Sequence, residues 1–305
     1  MSFSITVLGS GAATPTIGRN PSGIFVNIGN NYFLIDCGEG TQMQLRRFNL
    51  KAQRINHVFI SHLHGDHFFG LVGLISTFHL TGRKETLHIH SDPQLQEIIA
   101  LQLKHTQTQL VYPLEFHPFS QPHETLFENE QVTVKSFPLV HKITSTGFLF
   151  SEKQKPRKIK KDFIQHEEVS IKDIKRIKAG EDYVSPQGRV YLNRDITIAA
   201  PPPRQFSYCS DTRFDEKIAD YIKNVNLLYH EASFLDDELD TAKEKFHSTA
   251  SQAATIAAKA KADQLLLGHF SARYKDLNGF MKEASKVFPN TVLAEDGLTI
   301  TIPLK

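Results

Sequence analysis

Two cysteines in 305 residues are too few for a disulfide framework, and a reducing cytoplasm is the compartment they suggest. Long hydrophobic runs are missing as well. The longest, such as Leu265-Leu266-Leu267, fall far short of the roughly 18 residues a membrane span needs, so no membrane partner is expected. Met1-Ser2-Phe3-Ser4 sets no basic stretch before an apolar one, and no secretory signal is expected. Neither sign of charge dominates: 35 Lys and Arg against 33 Asp and Glu leave +2, which decides nothing about nucleic-acid partners. Gly9-Ser10-Gly11 lacks the third glycine of a dinucleotide fingerprint, and no Gly-Lys-Ser/Thr occurs, so no nucleotide cofactor is expected. Histidine is what the chain has in excess, with 15 residues.

Forty per cent apolar and 22% charged residues describe an ordinary globular chain, long enough for one large domain. Ser4–Leu8 alternates like a strand. Gly23–Ile28 and Tyr32–Asp36 flank a Gly29-Asn30-Asn31 turn as a hairpin, and Asn56–Ile60 reads as a short buried strand. Helices are expected over 40–50, over 93–110, from Ser248 or Thr249 to Ala262, and over Asp276–Phe288. Strand patterns return at Val190–Ala199, Phe206–Ser210, Asn226–His230, Gln264–Leu267 and Thr291–Ile302. Strands alternating with helices in both halves predict an α/β fold, with helices outside two packed sheets.

The composition changes between 152 and 189. Ten Lys or Arg residues (Lys153, Lys155, Arg157, Lys158, Lys160, Lys161, Lys172, Lys175, Arg176 and Lys178) stand against five acidic ones. The apolar residues Ile159, Phe163, Ile171, Ile174 and Ile177 are too few for an independent core, and this stretch reads as an exposed insertion in a single domain spanning 1–305.

The informative stretch is Ser61-His62-Leu63-His64-Gly65-Asp66-His67, directly after an apolar strand. No regular helix gathers residues 62, 64, 66 and 67 on one side. A loop loosened by Gly65 can wrap them around one or two ions, and imidazoles with a carboxylate suit zinc best, while manganese or iron fits the same donors. Further ligands must then lie downstream. His141, Asp211 and His269 each close an apolar strand-like run, where a sandwich collects its loops on one edge. Cys209 has no base or second cysteine nearby in sequence and is expected as a buried strand residue. His57, His79, His88, His90, His105, His117, His123 and His166 lack motif company and are assigned surface or packing roles. His230 is assigned at most to the shell behind the ligands.

His-x-His-x-Asp-His after a strand resembles the metallo-β-lactamase superfamily. More narrowly, the chain resembles the ribonuclease Z family of tRNA 3′-processing endonucleases. The matching blocks are Leu8–Gly11 with Thr14-Pro15, Asp36–Gln42, Ser61–His67, Pro138–His141 leading to Gly147-Phe148, Ser210–Thr212, His230–Ser233, His247–Thr249 and Gly268–Tyr274. They run in family order over nearly the full length.

The resemblance implies an αββα metallo-β-lactamase-type sandwich with a protruding basic arm at 152–189 that grips tRNA. It implies that His62, His64 and His141 hold one zinc, that Asp66, His67 and His269 hold another, and that Asp211 bridges them. Asp66 would also accept a proton, His247 oriented by Glu231 would donate one to the leaving oxygen, and Arg273 would contact phosphate. The implied reaction is attack by a metal-activated hydroxide on precursor tRNA. It leaves a tRNA 3′-hydroxyl and a 5′-phosphate on the trailer, and the implied assembly is a homodimer in which one subunit's arm serves the other's site. The chain keeps Ile177-Lys178-Ala179-Gly180 in the arm but has no Gly-Pro pair before it, as many relatives do. Two alternatives remain: a small-molecule hydrolase of the same superfamily, such as a cyclic-nucleotide phosphodiesterase, and a non-catalytic RNA-binding protein.

Overall fold

A computed structural model describes residues 2–119, 123–167 and 169–304. Contacts divide the chain into two units, Met1–Ser151 with Arg204–Ile302, and Glu152–Pro203 with the residues after Ile302.

In the larger unit, alternating apolar residues build two seven-stranded sheets. Across the first, the order is Thr299–Thr301, Phe3–Gly9, Gly23–Ile28, Asn31–Ile35, Ile55–Phe59, Leu87–Ser91 and Leu114–Pro118. The turn at Gly29-Asn30 closes the expected hairpin, pairing Ile28 with Asn31. From Asn31–Ile35 onward this sheet is parallel. The second sheet runs Thr291–Leu293, Gln264–Gly268, Leu227–Glu231, Gln205–Cys209, Ser145–Glu152, Val132–Leu139 and Thr125–Glu128, and its first four strands are parallel.

Phenylalanine fills the space between the sheets. Phe33 and Phe59 from the first meet Phe148 and Phe150 from the second at ring-centroid distances of 5.4 to 5.6 Å. Helices cover the outer faces: Leu71, Leu74, Ile75 and Phe78 pack with Leu34, Val58 and Ile89 of the first sheet. On the second, the small buried side of Ala250–Ala260 (Ala253, Ala254, Ala257) lies against the core. The αββα sandwich expected from the sequence is the observed architecture. Its parallel strands end on one edge, where α/β sheets place their ligands. Among the described residues no helix is long and apolar enough to cross a membrane.

The smaller unit corrects two expectations. It ends at Pro203 and not at 189, and it has a small core of its own in Ile159, Ile177, Tyr183 and Ile196, with Phe163, Val169, Ile174 and Tyr191 packed against it. Four of these residues, Val169, Tyr183, Tyr191 and Ile196, lie outside the set counted from the sequence. Val190–Ala199, expected as a strand, is interrupted by a helical turn at Asn193–Ile196. The Asn193 side chain donates to the carbonyls of Ile177 and Glu181, and those bonds override the apolar alternation. The helix Ile171–Ala179 starts on the Ser170 side chain, which accepts from Asp173 N, and stops at left-handed Gly180.

Candidate metal centre

The chain leaves Ile55–Phe59 through a loop carrying His62 and His64, and a single helical turn, Gly65–Phe68, then carries Asp66 and His67. Gly65 does not loosen this turn. It makes room for the Phe69 ring, which a Cβ at position 65 would approach to 2.2 Å. Gly38 serves a similar end, since a Cβ there would stand 2.4 Å from the Asp66 carbonyl oxygen.

Strand ends supply the remaining donors. Asp211 follows Gln205–Cys209, His269 follows Gln264–Gly268, and His141 follows Val132–Leu139. Val140 N donates to Thr212 Oγ1, which ties the His141 segment to the loop of Asp211.

Two sets of four donor atoms result. In the first, His64 Nδ1 lies 3.1 Å from His62 Nε2 and 3.2 Å from His141 Nε2, and Asp211 Oδ2 lies 3.6 and 3.7 Å from the latter two. In the second, Asp66 Oδ2 is 3.3 Å from both His67 Nε2 and His269 Nε2, while Asp211 Oδ1 is 3.4 and 3.1 Å from them. A tetrahedral zinc with bonds of about 2.0–2.2 Å sets its ligand atoms about 3.3–3.6 Å apart. Both sets therefore fit one such ion each, with Asp211 shared. His67 Nε2 is buried and has no hydrogen-bond partner despite its carboxylate neighbours, the condition of a nitrogen aimed at a common cation.

Electrostatics agree with that fit. Burial opposes a charge on His67, yet Asp66, Asp211 and Asp36 together push its pKa well above the ordinary value. Burial also favours the neutral form of Asp66 and Asp211, but the surrounding histidines hold both ionised. Burial keeps His62, His64 and His141 neutral, the form in which imidazole ligates a metal.

The far nitrogens of the ligand rings are also engaged. His67 Nδ1 lies 2.7 Å from Asp36 Oδ2, which also accepts from the Tyr208 hydroxyl at 2.7 Å. His62 Nδ1 meets Ser61 Oγ at 3.0 Å, His141 Nδ1 donates to Phe246 O at 3.0 Å, and His269 Nδ1 meets Ser233 Oγ at 3.1 Å. Such partners fix tautomer and ring orientation. Asp36 and Ser233 lie inside sequence blocks already singled out, but their roles were not read there.

His247 stands beside the first set, its ring 5.2 Å from that of His141. Left-handed Phe246 ends the preceding helix, and a capping box of Thr249 and Gln252 opens the next, so His247 is held in the junction. Its Nδ1 lies 2.8 Å from Glu231 Oε1. Burial works against the His247 charge, but the Glu231 carboxylate outweighs it and lifts the pKa to about 9. Glu231 is itself buried and fixed, accepting from Thr212 N and Ser248 N at 3.1 Å and from Ser233 N and Oγ at 2.9 Å.

A cavity of about 640 Å³ opens over these groups, lined also by Phe69, Lys142 and Lys245. Arg273 is not part of that lining. Its guanidinium lies 3.0 Å from Glu238 and over the Phe234 ring. In the smaller unit, Arg157 donates to Thr197 Oγ1, Lys160 to Asp195 O and Arg176 to Glu181, each at 2.7 Å, and Lys155 is 3.9 Å from Glu152. Lys158, Lys161, Lys172, Lys175 and Lys178 are exposed, and Lys153 is half-buried.

The two-sheet sandwich with paired donor sets at the strand ends defines a metallo-β-lactamase-fold protein. Residues 3–176 match the family described as "Anti-Pycsar protein Apyc1", a stretch that ends before Asp211, Glu231, His247 and His269. Proteins named ribonuclease Z match over far more of the chain. That of Bacteroides fragilis is 48% identical over 301 residues, covering 98% of this chain and 99% of that one. That of Cytophaga hutchinsonii is 46% identical over 299 residues, covering 97% and 95%. The crystal structure of human tRNase Z, short form, superposes with a TM-score of 0.72 at 30% identity, covering 99% of this chain and all of that one. The chain belongs to the ribonuclease Z family.

Proposed function

We propose that this chain is an endoribonuclease that removes the 3′ trailer from precursor tRNA by hydrolysing one phosphodiester. The observation that carries the reading is the pair of four-donor sets sharing Asp211, with the His247–Glu231 pair beside them. Zinc ions in these sets would lower the pKa of a water towards 7 and neutralise charge on the scissile phosphate, and manganese or iron would suit the same ligands.

The chain's own groups then divide the remaining work. Asp66 would accept a proton from the attacking water, the role that the family resemblance gives it, from its place beside His67 and His269. With Nδ1 held by Glu231, His247 has Nε2 left to give a proton to the departing 3′-oxygen, a poor leaving group without one. Attack at phosphorus with departure of that oxygen leaves a 3′-hydroxyl on the tRNA and a 5′-phosphate on the trailer. Lys142 and Lys245 line the cavity and supply positive charge for backbone phosphates. Arg273 would reach a phosphate only by leaving Glu238.

The basic unit from Glu152 to Pro203 is the tRNA-gripping arm in this reading, and its exposed lysines are the phosphate contacts. A cytoplasmic homodimer completes it, in line with the family resemblance and with two cysteines that are both free and buried. A small-molecule phosphodiesterase would use the same metal ligands but leaves the basic arm without a purpose.

The direct experiment is incubation of purified protein with a 3′-extended precursor tRNA, followed by end-group analysis of both products. One cut with a 3′-hydroxyl on the tRNA supports the reading. Uncut RNA from a preparation that hydrolyses a small phosphodiester would overturn it.

A further inference from the structure

Four histidines and one glutamate crowd three neighbouring strands of the first sheet that contribute no ligand to the centre above. His57 is on Ile55–Phe59, His88 and His90 on Leu87–Ser91, and Glu115 and His117 on Leu114–Pro118. The parallel register sets His57 opposite His88, His88 opposite Glu115, and His90 opposite His117. Residues two apart share a face of a strand, so all five side chains fall on one side of the sheet.

We propose that His88, Glu115 and His117 form a separate zinc site. His88 Nδ1 lies 2.9 Å from His117 Nε2 and 3.3 Å from Glu115 Oε2, and His117 Nε2 is 3.9 Å from the same carboxylate oxygen. These three edges bracket the separation of about 3.3–3.6 Å expected on one face of a zinc tetrahedron. The strand register brings the two nitrogens within hydrogen-bond distance, and a carboxylate completes the triangle. Two imidazoles and a carboxylate select a zinc-like ion over magnesium or calcium, which prefer all-oxygen shells.

The fourth position is left to water, because the side chains of Glu115 and His117 are 55% and 44% exposed. Behind the triangle, His57 stacks on His88 at 4.6 Å and His90 stacks on His117 at 4.9 Å. His57 Nδ1 and His90 Nε2 are 3.1 Å apart and share one hydrogen.

The site has a structural use. Among the described residues Leu114–Pro118 is an edge strand of its sheet, pairs only with Leu87–Ser91, and has no buried residue. Bound zinc would join His88 to His117 across that ladder and pin the edge.

The test is zinc content per chain after saturation with zinc chloride and removal of the excess. It is measured for the wild type, His117→Gln and Glu115→Gln, with hydrolysis of a small phosphodiester followed on the same samples. Both substitutions fall on exposed side chains and leave the core intact. The wild type should retain one zinc more than either variant, with hydrolysis unchanged, and zinc should raise the melting temperature of the wild type more than that of the variants. Equal zinc content in all three would overturn the site. Loss of hydrolysis in step with the lost zinc would also overturn it, by assigning that ion to the catalytic centre.

Discussion

The two carboxylate oxygens of Asp211 face different histidine sets: Oδ2 lies 3.6 Å from His62 Nε2, and Oδ1 lies 3.1 Å from His269 Nε2. One side chain therefore holds the two donor sets in register. Asp211→Ala should lower the retention of both active-site metals, and not one of them, and should reduce phosphodiester hydrolysis by at least about 100-fold. Metal analysis and a rate measurement on the same sample check this, with circular dichroism to confirm the fold. Full metal retention would show that Asp211 does not bridge.

Asp36 is expected to act at one remove. It receives His67 Nδ1, Ser61 Oγ and the Tyr208 hydroxyl on Oδ2, and Ser61 N on Oδ1. Asp36→Asn keeps the volume but weakens the acceptor. Metal affinity should fall about 10- to 100-fold, with activity restored by added zinc. A chelator-competition titration reads the affinity.

The exposed lysines of the arm should matter for tRNA and not for chemistry. Replacing Lys158, Lys161, Lys172, Lys175 and Lys178 together by alanine is expected to impair precursor tRNA cleavage while sparing hydrolysis of a small phosphodiester. Each phosphate contact removed should flatten the log–log salt dependence of tRNA binding by roughly 0.7–0.9. Equal loss on both substrates would contradict the arm's role.

Cys37 gives a pH dependence with a definite sign. Burial pushes its thiol from 9.0 up to about 12. The unfolded chain therefore releases this proton first as pH rises, so the group's contribution to stability is intact below about 9 and is lost progressively towards about 12. The loss is about 1.4 kcal/mol per pH unit over that window. Urea unfolding of the wild type and Cys37→Ala between pH 8 and about 10.5 reads the difference in slope. The same burial predicts no labelling of Cys37 by thiol reagents in the native protein at pH 8 and ready labelling in denaturant.

The sandwich and the gathering of seven donor side chains were legible because both follow from local rules. Apolar alternation marks the strands, and the donors sit where those strands end. Helical turns inside the site were less so: Gly65–Phe68 looked like loop because four residues carry too little periodicity to register. Asp36 and Ser233 act through the atoms they orient, and nothing in sequence spacing says which nitrogen they will meet. The pairing of Arg273 with Glu238 was not legible for a related reason, since the two residues lie 35 positions apart and meet only in the fold. The arm's core escaped notice because Tyr183 and Ile196 join it from beyond the basic stretch, drawn in by the hydrogen bonds of Asn193.

If His247, and not the metal donors alone, completes cleavage of precursor tRNA, its loss must slow the cut without loss of metal. The measurement that tests it is the rate of precursor cleavage by His247→Ala beside the wild type, with metal content determined on the same samples. Unchanged metal is expected, with a rate lower by about 10²- to 10⁴-fold, the usual contribution of a positioned general acid. A variant that retains its metal and still cuts at the wild-type rate would contradict it.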